Sequence, residues 1–358
     1  MARAPPRGRG ARRGERVKRP VAWAVACIAA GVLTALVAGA AWLREALGPA
    51  SRDAAPALFV VPEGATLRRV ARELEAAGLV RHGFVFEALA RWEGAADQLR
   101  SGEYELRASD PPAAILDAIR SGRVKMWEVA IPEGLTAIEI ADRVARAGLA
   151  GREAFLAVVN DPASPARYGV EGPGLEGYLF PETYHLARGL PAEQVVGTLV
   201  AEFLAVWREL EPELRARGFS MRQAVTLASL VEKETGVPQE RPLIAGVFAN
   251  RLRLGMRLET DPAVIYGIQG FDGNLTRAHL EDETNPYNTY RIPALPPGPI
   301  ANPGADALRA VARPAPTESL YFVSRNDGTH VFSRTYAEHV GHVRRYQGRG
   351  GRDDGSTP

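Results

Sequence analysis

The chain has 358 residues, 46% hydrophobic and 24% charged, which is enough for two domains with separate cores. Its net charge of +2 is uneven: residues 1–20 carry seven Arg and Lys18 against the single acid Glu15, a local charge of +7 that leaves −5 for the rest. A mildly acidic main body argues against nucleic acid as a partner, and a single cysteine, Cys27, excludes an internal disulfide.

The first predicted element is a membrane-spanning helix over residues 21–43. These residues carry no charge, and at about 1.5 Å per residue such a helix reaches roughly 34 Å, enough to cross a hydrocarbon core of about 30 Å. Trp23 and Trp42 stand near its ends, where aromatic residues favour the membrane interface. The basic arm before it predicts a cytoplasmic N terminus, so we expect a single-pass anchor in the cell (inner) membrane, with everything after Arg44 outside. The alternative is a signal peptide cleaved near residues 38–40.

An internal repeat follows a predicted tether at residues 44–57. The segment FVVPEGATLRRVARELEAAGLV (59–80) aligns with VAIPEGLTAIEIADRVARAGLA (129–150) at a constant offset of 70 residues. Each copy predicts a β-strand, a Pro-Glu-Gly turn, an N-cap threonine and an amphipathic helix that ends at a glycine. In the second copy Thr136 and Glu139 form a capping-box pattern.

This repeat resembles the LysM-like module, a small β-α-α-β element that binds glycan chains. The first copy continues through a second predicted helix, residues 83–92, and a strand near residues 103–106. We therefore expect a LysM-like module over residues 58–128. The alternative is an α+β scaffold with no glycan contact, because no residue here reveals a sugar site.

Two carboxylates end the most informative helix of the sequence. An apolar helical run over residues 224–231 is followed by Glu-Lys-Glu-Thr at 232–235. Carboxylates at the end of a buried helix are costly unless they are paired or used. Glu232 and Glu234 lie about 200° apart around the helix, so they cannot share one task, and periodicity does not choose between them. A carboxyl group against apolar neighbours has a raised pKa and suits a general acid acting on a glycosidic oxygen; the alternative is a solvated helix end.

Several blocks, in order, resemble the YceG-like endolytic murein transglycosylases. The resemblance covers roughly residues 58–346, and it includes the membrane anchor and the LysM-like region. One departure is Ala294, where the family pattern leads us to expect a glycine before Leu-Pro-Pro-Gly-Pro. The blocks are LEGYLFPETY (175–184), LASLVEKETG (227–236), ERPLIAGVFANRLRLGMRLETDPAVIYG (240–267), NPYNTYRIPALPPGPIANPG (285–304) and YFVSRNDGTHVFSRTYAEH (321–339).

The resemblance implies a catalytic residue and a mechanism. The first Glu of the V-E-K-E-T block is the family's catalytic acid, here Glu232. It protonates the oxygen between N-acetylmuramic acid (MurNAc) and N-acetylglucosamine (GlcNAc); the muramyl C6 hydroxyl attacks C1, and the same carboxylate accepts its proton, leaving a 1,6-anhydro end. This chemistry needs no cofactor and no metal. Seven polar residues of the family blocks are expected to line the glycan groove: Ser229, Thr235, Arg251, Asp261, Asn288, Tyr290 and Asn302.

The expected architecture is α+β. A single transmembrane helix precedes the LysM-like β-α-α-β module and a larger mixed α+β catalytic domain over residues 129–346, and a disordered tail covers 347–358. The partners that the resemblance implies are peptidoglycan glycan strands, the membrane, and peptidoglycan polymerases and transpeptidases.

Two other functions stay open at this point. One is a non-catalytic peptidoglycan-binding scaffold of the wall-synthesis machinery. The other is a muramidase that hydrolyses the same bond with water, for which Glu234 or Asp261 would supply the second carboxylate.

Overall fold

The computed structural model describes residues 18–348. Residues 1–17 of the predicted basic arm and residues 349–358 of the predicted tail lie outside the described residues. The chain mixes helices with short antiparallel strand pairs, which confirms the α+β class, and it divides into two compact units, Met1–Lys125 and Met126–Pro358.

The first unit begins with a long apolar helix, α1 (Lys18–Ala46). Its segment Trp23–Ala46 is long and apolar enough to cross a membrane, and its residues from 23 to 45 are all exposed. A helix whose apolar side chains are exposed all round suits a lipid environment. A signal sequence near an N terminus can meet the same criteria of length and composition.

The rest of the first unit has a β-α-α-β order followed by one more helix. Its core joins Phe59, Leu74, Phe86 and Tyr104, with Phe59 directly opposite Tyr104 in the strand pair. The helix at 83–92 and the strand near 103–106 are therefore confirmed, whereas glycan binding by this unit stays a prediction. The elements are β1 (Ala57–Val61), α2 (Leu67–Ala76), α3 (Gly83–Trp92), β2 (Gly102–Leu106) and α4 (Pro112–Ser121).

The second unit starts with the second copy of the repeat, which has the same β-α-α-β order. Thr136 and Glu139 form the predicted capping box, and Val129 lies opposite Tyr184 in the strand pair, as Phe59 lies opposite Tyr104 in the first copy. The repeat thus extends beyond its visible sequence similarity. The elements are β3 (Met126–Ala130), α5 (Ala137–Arg146), α6 (Arg152–Asn160), the short α7 (Ser164–Tyr168) and β4 (Thr183–Ala187).

The rest of the second unit contains a buried helix, α9 (Met221–Glu234), which three of the following helices contact directly. Ser220 and Gln223 cap its start, every residue from 224 to 231 is buried, and Thr235 ends it in an extended conformation. This all-round burial explains why an apolar run leads straight into charged residues: the last turn of α9 emerges from the core. The other elements are α8 (Ala192–Ala216), a 3-10 turn (Pro238–Glu240), α10 (Arg241–Arg253), α11 (Asp261–Tyr266), α12 (Arg277–Glu281), α13 (Ala305–Ala312), the hairpin β5 (Tyr321–Ser324) and β6 (His330–Ser333), and α14 (Tyr336–Tyr346).

Candidate active site

Glu232 is held at the point where three segments of the second unit meet. Its side chain is only 5% exposed. Arg241, the first residue of α10, donates from Nη2 to Glu232 Oε1 at 2.7 Å, and the backbone N–H of Gly304, just before α13, donates to Oε2 at 3.0 Å. The same Arg241 nitrogen donates to Glu133 Oε2 at 3.0 Å, and Glu133 lies in the Pro-Glu-Gly turn of the repeat. Both oxygens of Glu232 therefore have fixed partners.

A glycine at position 304 leaves room for the Glu133 side chain. A Cβ atom there would lie 1.8 Å from Glu133 Oε1. Glycine thus lets the backbone amide reach Glu232 while Glu133 stays against Arg241.

The neighbours of Glu232 act on its pKa in opposite directions. Burial raises the pKa most strongly, the Gly304 amide and Arg241 lower it, and the nearby Glu133 carboxylate raises it; the net shift is upward. Burial and the charge of Glu133 thus favour the protonated form of Glu232, whereas the Gly304 amide and Arg241 favour its carboxylate. A group that first donates a proton and then accepts one needs this balance.

An open polar cleft lies in front of Glu232. Its volume is about 390 Å³, and it is lined by Glu133, Gly134, Arg241 and residues 232–236. Lys233 donates from Nζ to the carbonyl oxygen of Gly134 at 3.2 Å, which ties the end of α9 to the turn on the other side. Such a polar lining suits a ligand rich in hydroxyl groups.

Glu234 lines this cleft and also a second, adjoining one of about 410 Å³. Burial raises the pKa of Glu234 to about 8, with a further contribution from the charge of Asp261. Tyr321 and Tyr336 contribute aromatic surface to the second cleft, and Tyr336 is 67% exposed. The two carboxylates of α9 thus lie in different surroundings, as their angular separation predicts.

Four of the seven predicted groove residues line one of the two clefts. Thr235 lines the first cleft and donates to Glu240 Oε2 at 3.2 Å. Arg251, Asp261 and Tyr290 line the second, where the Tyr290 hydroxyl donates to Asp261 Oδ1 at 2.7 Å. Arg251 is buried and donates to the carbonyl oxygens of residues 257, 258 and 320, so much of its hydrogen-bonding capacity holds the wall of the cleft.

The other three predicted residues are fully buried behind the clefts. Ser229 accepts from the Ile300 amide at 3.0 Å, and Asn302 donates to the Leu135 carbonyl at 2.9 Å. Asn288 donates to the carbonyl oxygens of residues 279, 280 and 282. None of the three lines either cleft in this structure.

Sequence reasoning missed Arg241, Glu133, the Gly304 amide and a fourth group, Glu176. Glu176 accepts from the Ala137 amide at 3.0 Å and from Asn302 Nδ2 at 2.8 Å, and burial raises its pKa to about 7. It thereby joins the start of α5 to the segment that carries the Gly304 amide. The only available signal for Glu133 was its place in the repeated Pro-Glu-Gly turn, and nothing local pairs it with Arg241.

Comparison with known proteins points to one family. The model of the YceG-like family matches residues 59–345. The endolytic murein transglycosylase of Streptococcus pneumoniae serotype 2 (strain D39) is 32% identical over 323 residues, which cover 78% of this chain and 58% of the relative. That of Bacillus subtilis (strain 168) is 28% identical over 323 residues, covering 85% of this chain and 89% of the relative.

A solved structure has a similar fold. A putative YceG-like protein from Listeria monocytogenes, determined by crystallography at 2.6 Å, is 30% identical with a TM-score of 0.55. The match covers 81% of this chain and all of that one. The chain spans less than two thirds of the length of its streptococcal relatives.

Proposed function

Because this chain belongs to the YceG-like family, we propose that it is an endolytic lytic transglycosylase that cleaves the MurNAc–GlcNAc bond within nascent peptidoglycan strands and so terminates their elongation. Relatives named endolytic murein transglycosylase support this reaction class. The observation that carries the proposal is the Glu232 carboxyl group, almost fully buried at the wall of an open polar cleft and held by one guanidinium group and one backbone amide.

In the first step, protonated Glu232 donates its proton to the glycosidic oxygen between the two sugars. Burial supports this role because it raises the pKa of the carboxyl group. The bond to C1 of the muramyl residue breaks through an oxocarbenium-like state, and the GlcNAc part leaves as an alcohol. The Arg241 and Gly304 hydrogen bonds stabilise the carboxylate that remains.

In the second step, the carboxylate of Glu232 accepts the proton of the muramyl C6 hydroxyl as this oxygen attacks C1. The new C1–O6 bond closes the 1,6-anhydro ring, and Glu232 returns to its protonated form. The reaction adds no water and consumes no cofactor. One carboxyl group that changes protonation state twice is sufficient.

The two adjoining clefts support an endolytic cut. An enzyme that cuts inside a strand must hold sugars on both sides of the scissile bond. Glu234 lines both clefts, so the second continues from the first, and its aromatic side chains Tyr321 and Tyr336 suit stacking against sugar rings. We assign Thr235, Asp261, Tyr290 and Arg251 to this glycan path.

A hydrolytic muramidase is the second candidate, and one observation favours it. Glu133 and Glu232 both accept from Arg241 Nη2, so these two oxygens are no farther apart than about 5.7 Å, the sum of the two distances. Retaining glycosidases place two carboxyl groups about 5–5.5 Å apart. Glu133 is therefore a better candidate for a second carboxylate than Glu234 or Asp261.

The test is mass spectrometry of peptidoglycan digested by the full chain in detergent, beside its Glu232→Gln and Glu234→Gln variants. We expect internal fragments with anhydro ends, each one water lighter than a reducing end. Glu232→Gln should lower the rate at least 100-fold because the proton donor is lost, whereas Glu234→Gln should keep most of it.

Three results would contradict the proposal. Reducing ends would identify a muramidase, and Glu133→Gln would then be the next variant. Normal cleavage by Glu232→Gln would refute the site. Glycan binding without cleavage by any form of the chain would identify the scaffold.

We further propose that α1 is a retained single-pass anchor in the cell (inner) membrane, with the N terminus cytoplasmic and everything after Arg44 outside. The exposed apolar span and the basic arm before it support this orientation. Glycan binding by the β-α-α-β unit, and assembly with peptidoglycan polymerases and transpeptidases, belong to the same proposal.

A further inference from the structure

Three aromatic rings join the end of α1 to the start of α3 in the first unit. The Trp42 ring stacks on His82 with centroids 5.5 Å apart and on Phe84 with centroids 5.9 Å apart. His82 and Phe84 are themselves 5.7 Å apart. The cluster is open to its surroundings, because Trp42 is 46% and Phe84 60% exposed.

Further contacts hold the end of α1 on the body of this unit. Arg81 donates to Glu45 Oε1 at 3.2 Å and to the Pro49 carbonyl at 3.0 Å, and Ala46 is 2% exposed. The Ser51 amide donates to the Ala108 carbonyl at 2.9 Å. The first part of the segment predicted as a tether is thus attached to the folded unit, and α3 starts beside the last turns of α1.

The depth of Phe84 follows from the position of Trp42 along the span. If the middle of Trp23–Ala46 lies at the middle of the bilayer, Trp42 lies about 11 Å from it, inside the edge of the hydrocarbon core at about 15 Å. The Phe84 ring, 5.9 Å from that of Trp42, lies at a similar depth. Phe84 is therefore at the boundary between acyl chains and headgroups.

The exposed side of α3 continues this apolar surface. Phe84, Ala88 and Trp92 fall within about 80° of the helix circumference, and Trp92 is 84% exposed. Phe86 and Ala90 face the core on the opposite side, the buried Val85 lies at the edge of the strip, and Arg81 and Arg91 are exposed near its two ends. A helix with an apolar strip, aromatic residues and flanking arginines is typical of helices that lie in the membrane interface.

We propose that the face of α3 formed by Phe84, Ala88 and Trp92 lies in the lipid interface of the leaflet at the C-terminal end of α1. The occupant of this surface is phospholipid, because Phe84 at the start of the strip stacks on Trp42, which belongs to the membrane span itself. The inference depends on the proposed anchor. It means that the first unit rests on the membrane surface instead of moving freely above it.

The test places a fluorescent probe at defined positions of the full chain. In a Cys27→Ser background, single cysteines at Phe84, Trp92, Val37 and Glu63 are labelled with bimane, and each protein is incorporated as one copy per lipid nanodisc. Lipids brominated near the headgroup quench a probe in the interface, and iodide quenches a probe in water. Val37, within α1, reports the anchor itself, and Glu63, exposed on the turn after β1, is the control for a solvated position.

We expect the probes at positions 84 and 92 to be quenched by brominated lipid and at least several-fold less by iodide than the probe at Glu63. Because each disc holds one copy and no other protein, this result identifies lipid as the occupant. If the Val37 probe is in lipid while those at 84 and 92 are fully open to iodide, the inference is wrong and the anchor stands. If the Val37 probe is also open to iodide, both the inference about α3 and the proposed membrane anchor are wrong.

Discussion

At the scale of single residues, the chemistry depends on how Arg241 and Glu133 tune Glu232. Arg241 contacts both carboxylates through one nitrogen, so it neutralises a pair that would otherwise repel. Removing either charge should move the pKa of Glu232, and the direction differs between the two.

We predict opposite shifts of the pH profile for Arg241→Met and Glu133→Gln. The alkaline limb of kcat/KM reports ionisation of the general acid. Arg241→Met removes a cation that lowers the pKa of Glu232, so this limb should move to higher pH; Glu133→Gln removes an anion that raises it, so the limb should move to lower pH. Arg241→Met should also lower the maximal rate about tenfold or more, because Glu232 loses its orientation.

The rate of anhydro-product formation between pH 4 and 9 measures both shifts. Glu139→Gln, at an exposed helix cap, is a control that should leave the limb unchanged. Limbs that move in the same direction in both variants would show that Glu232 is not the titrating acid.

A second residue-scale prediction concerns Glu234 and stability. Burial raises its pKa from 4.5 to about 8 in the folded protein. Between these values the unfolded chain releases a proton that the folded chain keeps, so stability should fall as pH rises, by at most about 1.4 kcal/mol per pH unit. Glu234→Gln removes this dependence and should flatten the fall in Tm between pH 5 and 8. Glu281→Gln, exposed on α12, should reproduce the wild-type slope, and an equal slope in all three proteins would contradict the prediction.

At the scale of elements, the site depends on how closely the loops approach α9. Gly177 has a φ of +90° and lies against this helix and the loop before α13; a Cβ there would be 2.5 Å from Pro299 Cγ and 2.8 Å from Val225 Cγ1. The same loop is bonded to α9 at two further points: the Ile300 amide donates to Ser229 Oγ, and the Gly304 amide donates to Glu232 Oε2. The backbone path of this loop therefore helps to set the position of the Glu232 side chain.

Gly177→Ala should destabilise the second unit by about 2–4 kcal/mol, from left-handed strain and overpacking together. Gly189→Ala is a matched control, because Gly189 has a φ of +79° but no atom within 4 Å of the added Cβ. Gly189→Ala therefore introduces left-handed backbone strain without overpacking, and it should lower the free energy of unfolding by about 1–2 kcal/mol. Thermal or denaturant unfolding measures the difference, and equal losses in the two variants would show that the close approach has no energetic weight.

At the scale of the whole molecule, the first of two compact units begins with a largely exposed apolar helix whose length fits a bilayer. Both units contain a β-α-α-β order, with the short α7 added before β4 in the second, and in the second unit Glu133 of the Pro-Glu-Gly turn shares Arg241 with Glu232. In the second copy, the turn of this repeated unit is thus part of the candidate active site.

We predict that the chain keeps α1 in the mature protein. Membranes from expressing cells, washed at alkaline pH, should retain a protein whose intact mass corresponds to the full 38.6 kDa chain. Replacing Leu33 and Val37 with Arg should release it, since each such charge costs about 2.5–3.5 kcal/mol at the centre of a span. Replacing the same two residues with Ala should leave the protein in the membrane. A soluble product that begins near residue 41 would identify a cleaved signal peptide instead.

Sequence alone determined those features whose physical cause lies within a few residues. The apolar length of the span, the capping box at Thr136, the repeat and the end of α9 after its apolar run are all set by local periodicity and capping. Resemblance then selected Glu232, which periodicity could not distinguish from Glu234.

Only the tertiary structure decided what surrounds that carboxyl group. Glu133 and Arg241 are 108 positions apart, and Gly304 is 72 positions from Glu232, yet all meet at one point. Ser229, Asn288 and Asn302 were expected in the groove, but the fold buries them, and none of the three lines either cleft. Burial and hydrogen-bond partners depend on which distant segments pack together, so the pKa of Glu232 and the shape of the cleft belong to the fold and not to any stretch of sequence.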